Sequence, residues 1–182
     1  TEAQRLVRRR PLPAEHLTLL AAGQAKAGRT AEATGTIQIA GQRGWRDPVA
    51  QEAVLRLALA AGDRPEAARR YAALFLRSQT PDALLTELGP AVLGGSNDIG
   101  RATMAAIVAG GERWHSLFLR RGVRVIPPGA FAAITAESLR NGAAFDCGVL
   151  AQSVKALSQR EAGAERQVAE AAASRCPQLA PL

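Results

Sequence analysis

Two stretches of this chain echo one another at a fixed offset of 34 residues, and that periodicity limits the fold more than any other feature. The first runs from Ala14 to Asp47 and the second from Pro48 to Pro81. Gly28 falls opposite Gly62, Glu32 opposite Glu66 and Ala33 opposite Ala67, each pair 34 positions apart. A unit of this length reads as helix, tight turn, helix, and it buries its apolar face only by stacking on a neighbour. The matched residues have physical roles in such a unit. Gly28 and Gly62 fall where the first helix of each pair closes, a left-handed position at which glycine carries no steric cost. Ala33 and Ala67 fall where the second helix crosses the first, so a larger side chain would push the pair apart. Ile37 and Tyr71 follow one turn later on the same face.

Composition agrees with helix-on-helix packing. Hydrophobic residues make up 47% of the chain but aromatics only 4%, and Ala and Leu dominate the apolar share. Alanine has the best helix propensity and lets helices approach closely. Small side chains do not fill the wider gap between sheets, so the expected fold class is all-α, with about ten helices.

With the 34-residue period, Ala33-x-x-x-Ile37 and Ala67-x-x-x-Tyr71 resemble the Ala-x-x-x-aromatic element of the tetratricopeptide repeat family. The family's Trp-x-x-Leu-Gly-x-x-Tyr opening reads here as Leu17-x-x-Leu20-Ala21-x-x-Gln24, then as Gln51-x-x-Val54-Leu55-x-x-Ala58. Its closing proline is replaced by Trp45 and Gln79, so these are degenerate copies. The resemblance covers residues 14–81, under half the chain. It implies a right-handed α-α superhelix of antiparallel helix pairs, whose first helices line a concave groove for a peptide segment or helix of another protein. Carried onto this chain, the groove comprises Glu15, Thr18, Ala22 and Lys26, then Glu52, Arg56 and Leu59. The Lys/Asn set with which some members clamp a C-terminal carboxylate is missing. The implied function is a non-catalytic protein–protein scaffold.

Residues 1–81 thus read as an N-terminal helix and two repeats, and 82–182 as a degenerate continuation of one array. Pro and Gly punctuate the second part. Helices are expected from Pro81 or Asp82 to Leu93, after Ser96-Asn97-Asp98 to Val108, and from Trp114 to Arg121. Others are expected from Pro127-Pro128 to Leu139, from Ala143 to Ser158 and from Glu161 to Cys176. Asp98-x-Gly100-Arg101 followed by Trp114-x-x-x-Phe118-Leu119 resembles repeat proteins of bacterial cell envelopes, which implies a part in an envelope assembly such as polysaccharide synthesis or export.

Catalytic motifs fare poorly. Val92-Leu93-Gly94-Gly95-Ser96-Asn97-Asp98-Ile99-Gly100-Arg101-Ala102 resembles the glycine-rich turn of short-chain dehydrogenases, which would make the Gly94–Gly100 loop a nucleotide site. That motif needs a buried strand before the glycines, and Gly89-Pro90-Ala91-Val92-Leu93 is a poor one. The family's Tyr-x-x-x-Lys pair is absent, because Tyr71 is the sole tyrosine and Phe75 stands four residues on. Arg101 occupies the place of a P-loop lysine, and no Gly-x-Ser-x-Gly elbow occurs. The two histidines, His16 and His115, lie in separate segments without partners at metal-ligand spacing. Carboxylates such as Glu15, Glu52 and Asp63 are not singled out as a pair. The expectation is no enzyme, no metal and no cofactor.

The formal charge is +7, and Lys26 and Lys155 are the only lysines. Arg8-Arg9-Arg10 and Arg120-Arg121 with Arg124 are the two basic clusters, and neither is interleaved with the aromatics that bind single strands. An anion or nucleic-acid binder is therefore a second reading, not the favoured one. Cys147 and Cys176 are 29 residues apart, one on each of the last two expected helices. A helical hairpin turning near Ser158–Gly163 brings them level, so a disulfide is expected to pin a last helix that has one neighbour. A disulfide implies an oxidising compartment such as a bacterial periplasm, with the cytoplasm as the second reading. No run of 18 apolar residues is present. The chain opens on Thr1 without Met, which leaves open whether a targeting or membrane-anchoring segment precedes it.

Overall fold

Every regular element among the described residues is helical. The computed structural model describes residues 2, 4, 5, 13–95 and 98–179. Beyond the helical residues 2, 4 and 5, it contains ten bounded α-helices, two short 3-10 turns and, among the described residues, no strand. The chain divides into two units, Thr1–Thr80 and Pro81–Leu182.

The first unit holds α1 (Ala14–Lys26), α2 (Thr30–Arg43), α3 (Pro48–Ala60) and α4 (Arg64–Phe75). Its main contacts are α1 on α2 and α3 on α4, with a lighter contact of α2 on α3. The 34-residue echo extends to the backbone. Gly28 and Gly62 both have φ of +73°. Arg29 N donates to Gln24 O and Asp63 N to Ala58 O, both at 2.9 Å, so the same closure ends α1 and α3. Asp47 caps α3 by accepting from Val49 N and Ala50 N, and Asp63 caps α4 by accepting from Glu66 N.

The degenerate positions also have local causes. Gln51, in the slot of the family's tryptophan, is buried and closes the end of α2. Its Nε2 donates to Gly41 O at 2.9 Å and to Gly44 O at 3.1 Å. Arg70 donates to the same Gly41 carbonyl at 2.7 Å and to Gln51 Oε1 at 3.1 Å, which ties α4 to this junction. Arg70 is held in turn by Glu66 at 2.8 Å. Partial burial would raise the Glu66 carboxyl, but hydrogen bonds and charge from Arg70 and Arg69 outweigh it and hold the group below the ordinary carboxylate range.

Ala67 is 0% exposed and Ala33 is 8% exposed, and Ala33 also borders open space. Ala67→Leu should therefore lower stability by about 1–3 kcal/mol through overpacking, and Ala33→Leu by less, because its extra atoms have somewhere to go. Thermal melts of the two variants decide it. An unmoved midpoint for Ala67→Leu would remove the helix crossing from the account of this unit.

The second unit holds α5 (Asp82–Leu93), α6 (Ile99–Ala109), α7 (His115–Val125), α8 (Pro128–Arg140), α9 (Cys147–Arg160) and α10 (Ala164–Ala172). Here the pairing rule changes. α5 packs on α7 and α7 on α9, while α6 packs on α8 and α8 on α10, and among chain neighbours only α9 and α10 pack comparably. Helices thus alternate between two interleaved rows.

Several expected boundaries move. α7 begins at His115, after a 3-10 turn at Glu112–Trp114, and runs past Arg121 to Val125. It ends because Ile126 precedes Pro127, and a residue before proline is pushed to extended backbone. α9 starts at Cys147, not Ala143, because the Asp146 side chain accepts from Val149 N and caps the helix there. α10 is shorter than expected at both ends, starting after Gly163, whose φ is +95°, and stopping at Ala172.

Cys147 and Cys176 form a disulfide, with Cα atoms 5.6 Å apart. Cys147 is the first residue of α9, and Cys176 lies four residues past α10 rather than within it. The last helix is not a lone flank, since α10 packs on α8 as well as α9. Arginines close helix ends throughout this unit. Arg101 donates to Leu93 O at 3.1 Å at the end of α5. Arg160 donates to Val123 O in the last turn of α7 and, at 2.9 Å, to Ile126 O just beyond it. Arg175 donates to Ala143 O at 2.8 Å, beyond α8. Arg101 and Arg160 thus meet carbonyls that a helix itself leaves unpaired, whereas Arg175 binds the loop that follows α8.

Candidate docking groove

An open groove of about 480 Å³ lies in the first unit, where α1, α2 and α3 converge. Each helix lines it with one stripe at helical spacing. α1 contributes Thr18, Ala21, Ala22 and Ala25. α2 contributes Thr30, Ala33, Thr34 and Ile37. α3 contributes Val49, Ala53, Arg56 and Leu57. Residues seven apart on a helix are about 10 Å apart along its axis, so the groove is about two turns long.

Ile37 stands where the second copy has the fully buried Tyr71, but is itself half-buried, packed against Leu17, Ala40 and Ala50 with one side on the groove. The N-terminal ends of the walls are tied where the Thr18 hydroxyl donates to Asp47 Oδ2 at 2.6 Å. Asp47 Oδ1 meanwhile accepts from Val49 N at 3.0 Å, so one carboxylate both caps α3 and fastens it to α1. Val49, on the rim, is 60% exposed. Leu19, three residues before Ala22 and so on a neighbouring line of α1, is 56% exposed.

Of the seven groove residues expected from the sequence, Thr18, Ala22 and Arg56 line this groove. The other four do not. Glu15 and Lys26 are exposed on α1, one turn before Thr18 and one turn after Ala22. Glu52 is half-buried and accepts from Arg56 Nε at 2.9 Å. Leu59 is half-buried and outside the lining. The expectation drew on first helices alone, whereas much of the lining comes from α2. Its stripe at 30, 33, 34 and 37 was visible as small residues at helical spacing, and that signal would have found it.

The remaining sequence candidates take structural places. Ser96 and Asn97 of the Gly94–Gly100 loop lie outside the described residues. The loop is preceded by α5, a helix, where a dinucleotide turn has a strand. Arg101 pairs with Asp98 and donates to Gly95 O at 3.0 Å, so loop carbonyls face a built-in cation. A polar cavity of about 410 Å³ nearby includes Arg101 and Asp98 with the Arg140–Glu137 pair, which is 2.5 Å apart. Arg8, Arg9 and Arg10 lie outside the described residues. In the other basic cluster, Arg121 is buried and donates to Asp82 at 2.8 Å, and Arg124 lies 3.5 Å from the same carboxylate. That cluster bolts α7 to α5. His115 is buried with its ring 4.7 Å from that of Phe145, and Nε2 lies 2.8 Å from Val108 O. A carbonyl only accepts, so Nε2 carries the proton. Among the described residues, no three His, Cys, Asp or Glu side chains are grouped to hold a metal. Nor, among them, is any helix long and apolar enough to cross a membrane.

No family model matches the chain, and no curated protein or solved structure matches it.

Proposed function

We propose that this chain is a non-catalytic scaffold whose first unit is of the tetratricopeptide type, a right-handed stack of antiparallel helix pairs, and that it binds another protein through the groove between α1, α2 and α3. The observation that carries the reading is the groove itself, an apolar trough with large exposed hydrophobics beside it. Apolar side chains of a partner would be removed from water in such a trough, which favours binding there. The repeated closures at Gly28 and Gly62 support the repeat assignment, although the interleaved packing of the second unit follows a different rule. The Cys147–Cys176 bridge supports an oxidising compartment, and with it a place in a bacterial cell-envelope assembly.

Ala22 is exposed and lines the groove, so a photo-crosslinking side chain there disturbs no core contact. In the cells that make the protein, it should capture a protein that the same group at exposed Gln152 does not. Filling the trough with Ala25→Trp should cut that adduct by about tenfold or more, equivalent to at least about 1.4 kcal/mol of binding. Equal adducts from both positions, or no effect of Ala25→Trp, would remove the groove as the binding place.

A further inference from the structure

We infer that two copies of this chain pair through the outer face of α1, antiparallel about a two-fold axis, as a weak and reversible dimer. This goes beyond the groove reading and uses a different face of the same helix.

Helical spacing lays out the face. Glu15, Leu19, Ala22 and Lys26 follow one another by four, three and four residues, so they form one line along α1, about 16 Å long. All four are exposed, Leu19 by 56%. The opposite side of the helix supplies the core through Leu17, Ala21 and Gln24. Gly23 borders the line, and a Cβ added there would meet nothing within 4 Å. A line with this spacing is the seam along which two helices pack at a shallow angle.

The residues on the line select the occupant. They mirror one another about the midpoint of Leu20 and Ala21, so that Leu19 reflects onto Ala22, Thr18 onto Gly23 and Glu15 onto Lys26. Against an antiparallel copy, each Leu19 meets the small Ala22 of the other helix, a knob facing a gap, and the contact occurs twice. Glu15 meets Lys26 at both ends of the seam. Among the described residues, neither has an ion-pair partner in its own chain. A parallel pairing about a two-fold axis would set Glu15 against Glu15 and Lys26 against Lys26, which like-charge repulsion opposes. The charges on neighbouring elements, Arg43 and Arg46 around the α2–α3 turn and the Arg29–Glu32 pair at the start of α2, stand off this line. A surface that is its own complement fits a second copy of the chain, the symmetry of the commonest oligomers.

A seam of one helix buries less than the roughly 1,000 Å² of a lasting interface, so the dimer belongs to the weak class. Its consequence is geometric. Ala22 also lines the groove, so pairing sets two grooves edge to edge and makes the scaffold bivalent.

Sedimentation equilibrium of the whole chain in dilute salt, from about 10 μM to 1 mM, tests the inference. The expected result is a monomer–dimer equilibrium with a Kd of about 0.1–1 mM. Glu15→Lys and Lys26→Glu should each weaken it about tenfold or more, and an equimolar mixture of the two should restore it, because both end contacts are then unlike pairs. Leu19→Ala should weaken it to a similar extent. All three side chains are exposed and outside the groove lining, so these variants keep the fold and leave the groove reading untouched. A chain that stays monomeric at about 1 mM overturns the inference, as does a dimer indifferent to Leu19→Ala or to the single reversals. A mixture of the two reversed variants that remains monomeric overturns it as well.

Discussion

Replacing Cys147 and Cys176 together with alanine is expected to lower stability by about 3–4 kcal/mol, the loop-entropy value for a closed loop of this size. The bridge spans 29 residues, from the first residue of α9 to the segment after α10. Cutting it frees the unfolded chain of that constraint. The folded state changes less, because Val168, Ala169 and Ala172 keep α10 buried. The loss should therefore appear as a lower midpoint in urea, with a steeper slope, because the denatured chain without its cross-link exposes more surface. Wild-type protein reduced with a small thiol should shift to the same extent. Coincident oxidised, reduced and double-alanine curves would show that the staple contributes nothing. A chain recovered from its own cells with both thiols free would also remove the support for an oxidising compartment.

Phe118→Ala is expected to cost about 3–5 kcal/mol, as for other large buried aromatics truncated in a core. Phe118 is fully buried on α7, and its ring lies 5.3 Å from that of Phe131 on α8 and 6.3 Å from that of Phe145. Phe145 in turn contacts His115, so one ring holds together α7, α8 and the approach to α9. Collapse around the hole is limited because Gly122 already lies against Phe131 with no side chain to adjust. Phe118→Leu should cost clearly less. A chemical-denaturation loss below about 1 kcal/mol for the alanine variant would mean that this cluster does not organise the unit.

Local chemistry was the legible part of this fold. Gly28 and Gly62 adopt the left-handed backbone that their 34-residue spacing implied, and the turn residues near Pro81, Gly110 and Asn141 bound helices close to where they were expected. The Cys147–Cys176 pair was legible because a hairpin makes its ends meet. Long-range choices were not. Arg160 closes the end of α7 from 34 residues away, and Arg175 holds the loop after α8 from 32 residues away. In the sequence both simply add to a surplus of positive charge. Arg121 likewise reads as part of a basic patch, yet it is buried against an aspartate 39 positions earlier. The groove was half legible. Thr18, Ala22 and Arg56 followed from the repeat register, but the part played by α2 depends on how far apart its flanking helices stand, which pattern alone does not specify.

The interleaved rows of the second unit make it indivisible. A stack of hairpins can be shortened by one pair and leave a clean end. Here a deletion from Asn141 onward would strip α7 of α9 and α8 of α10 at once, leaving both rows with an uncovered flank. The same geometry resists growth by duplication, since an inserted hairpin would place one helix in each row and shift every later partner. A truncation inside residues 81–182 should therefore expose core on both rows instead of leaving a smaller finished unit.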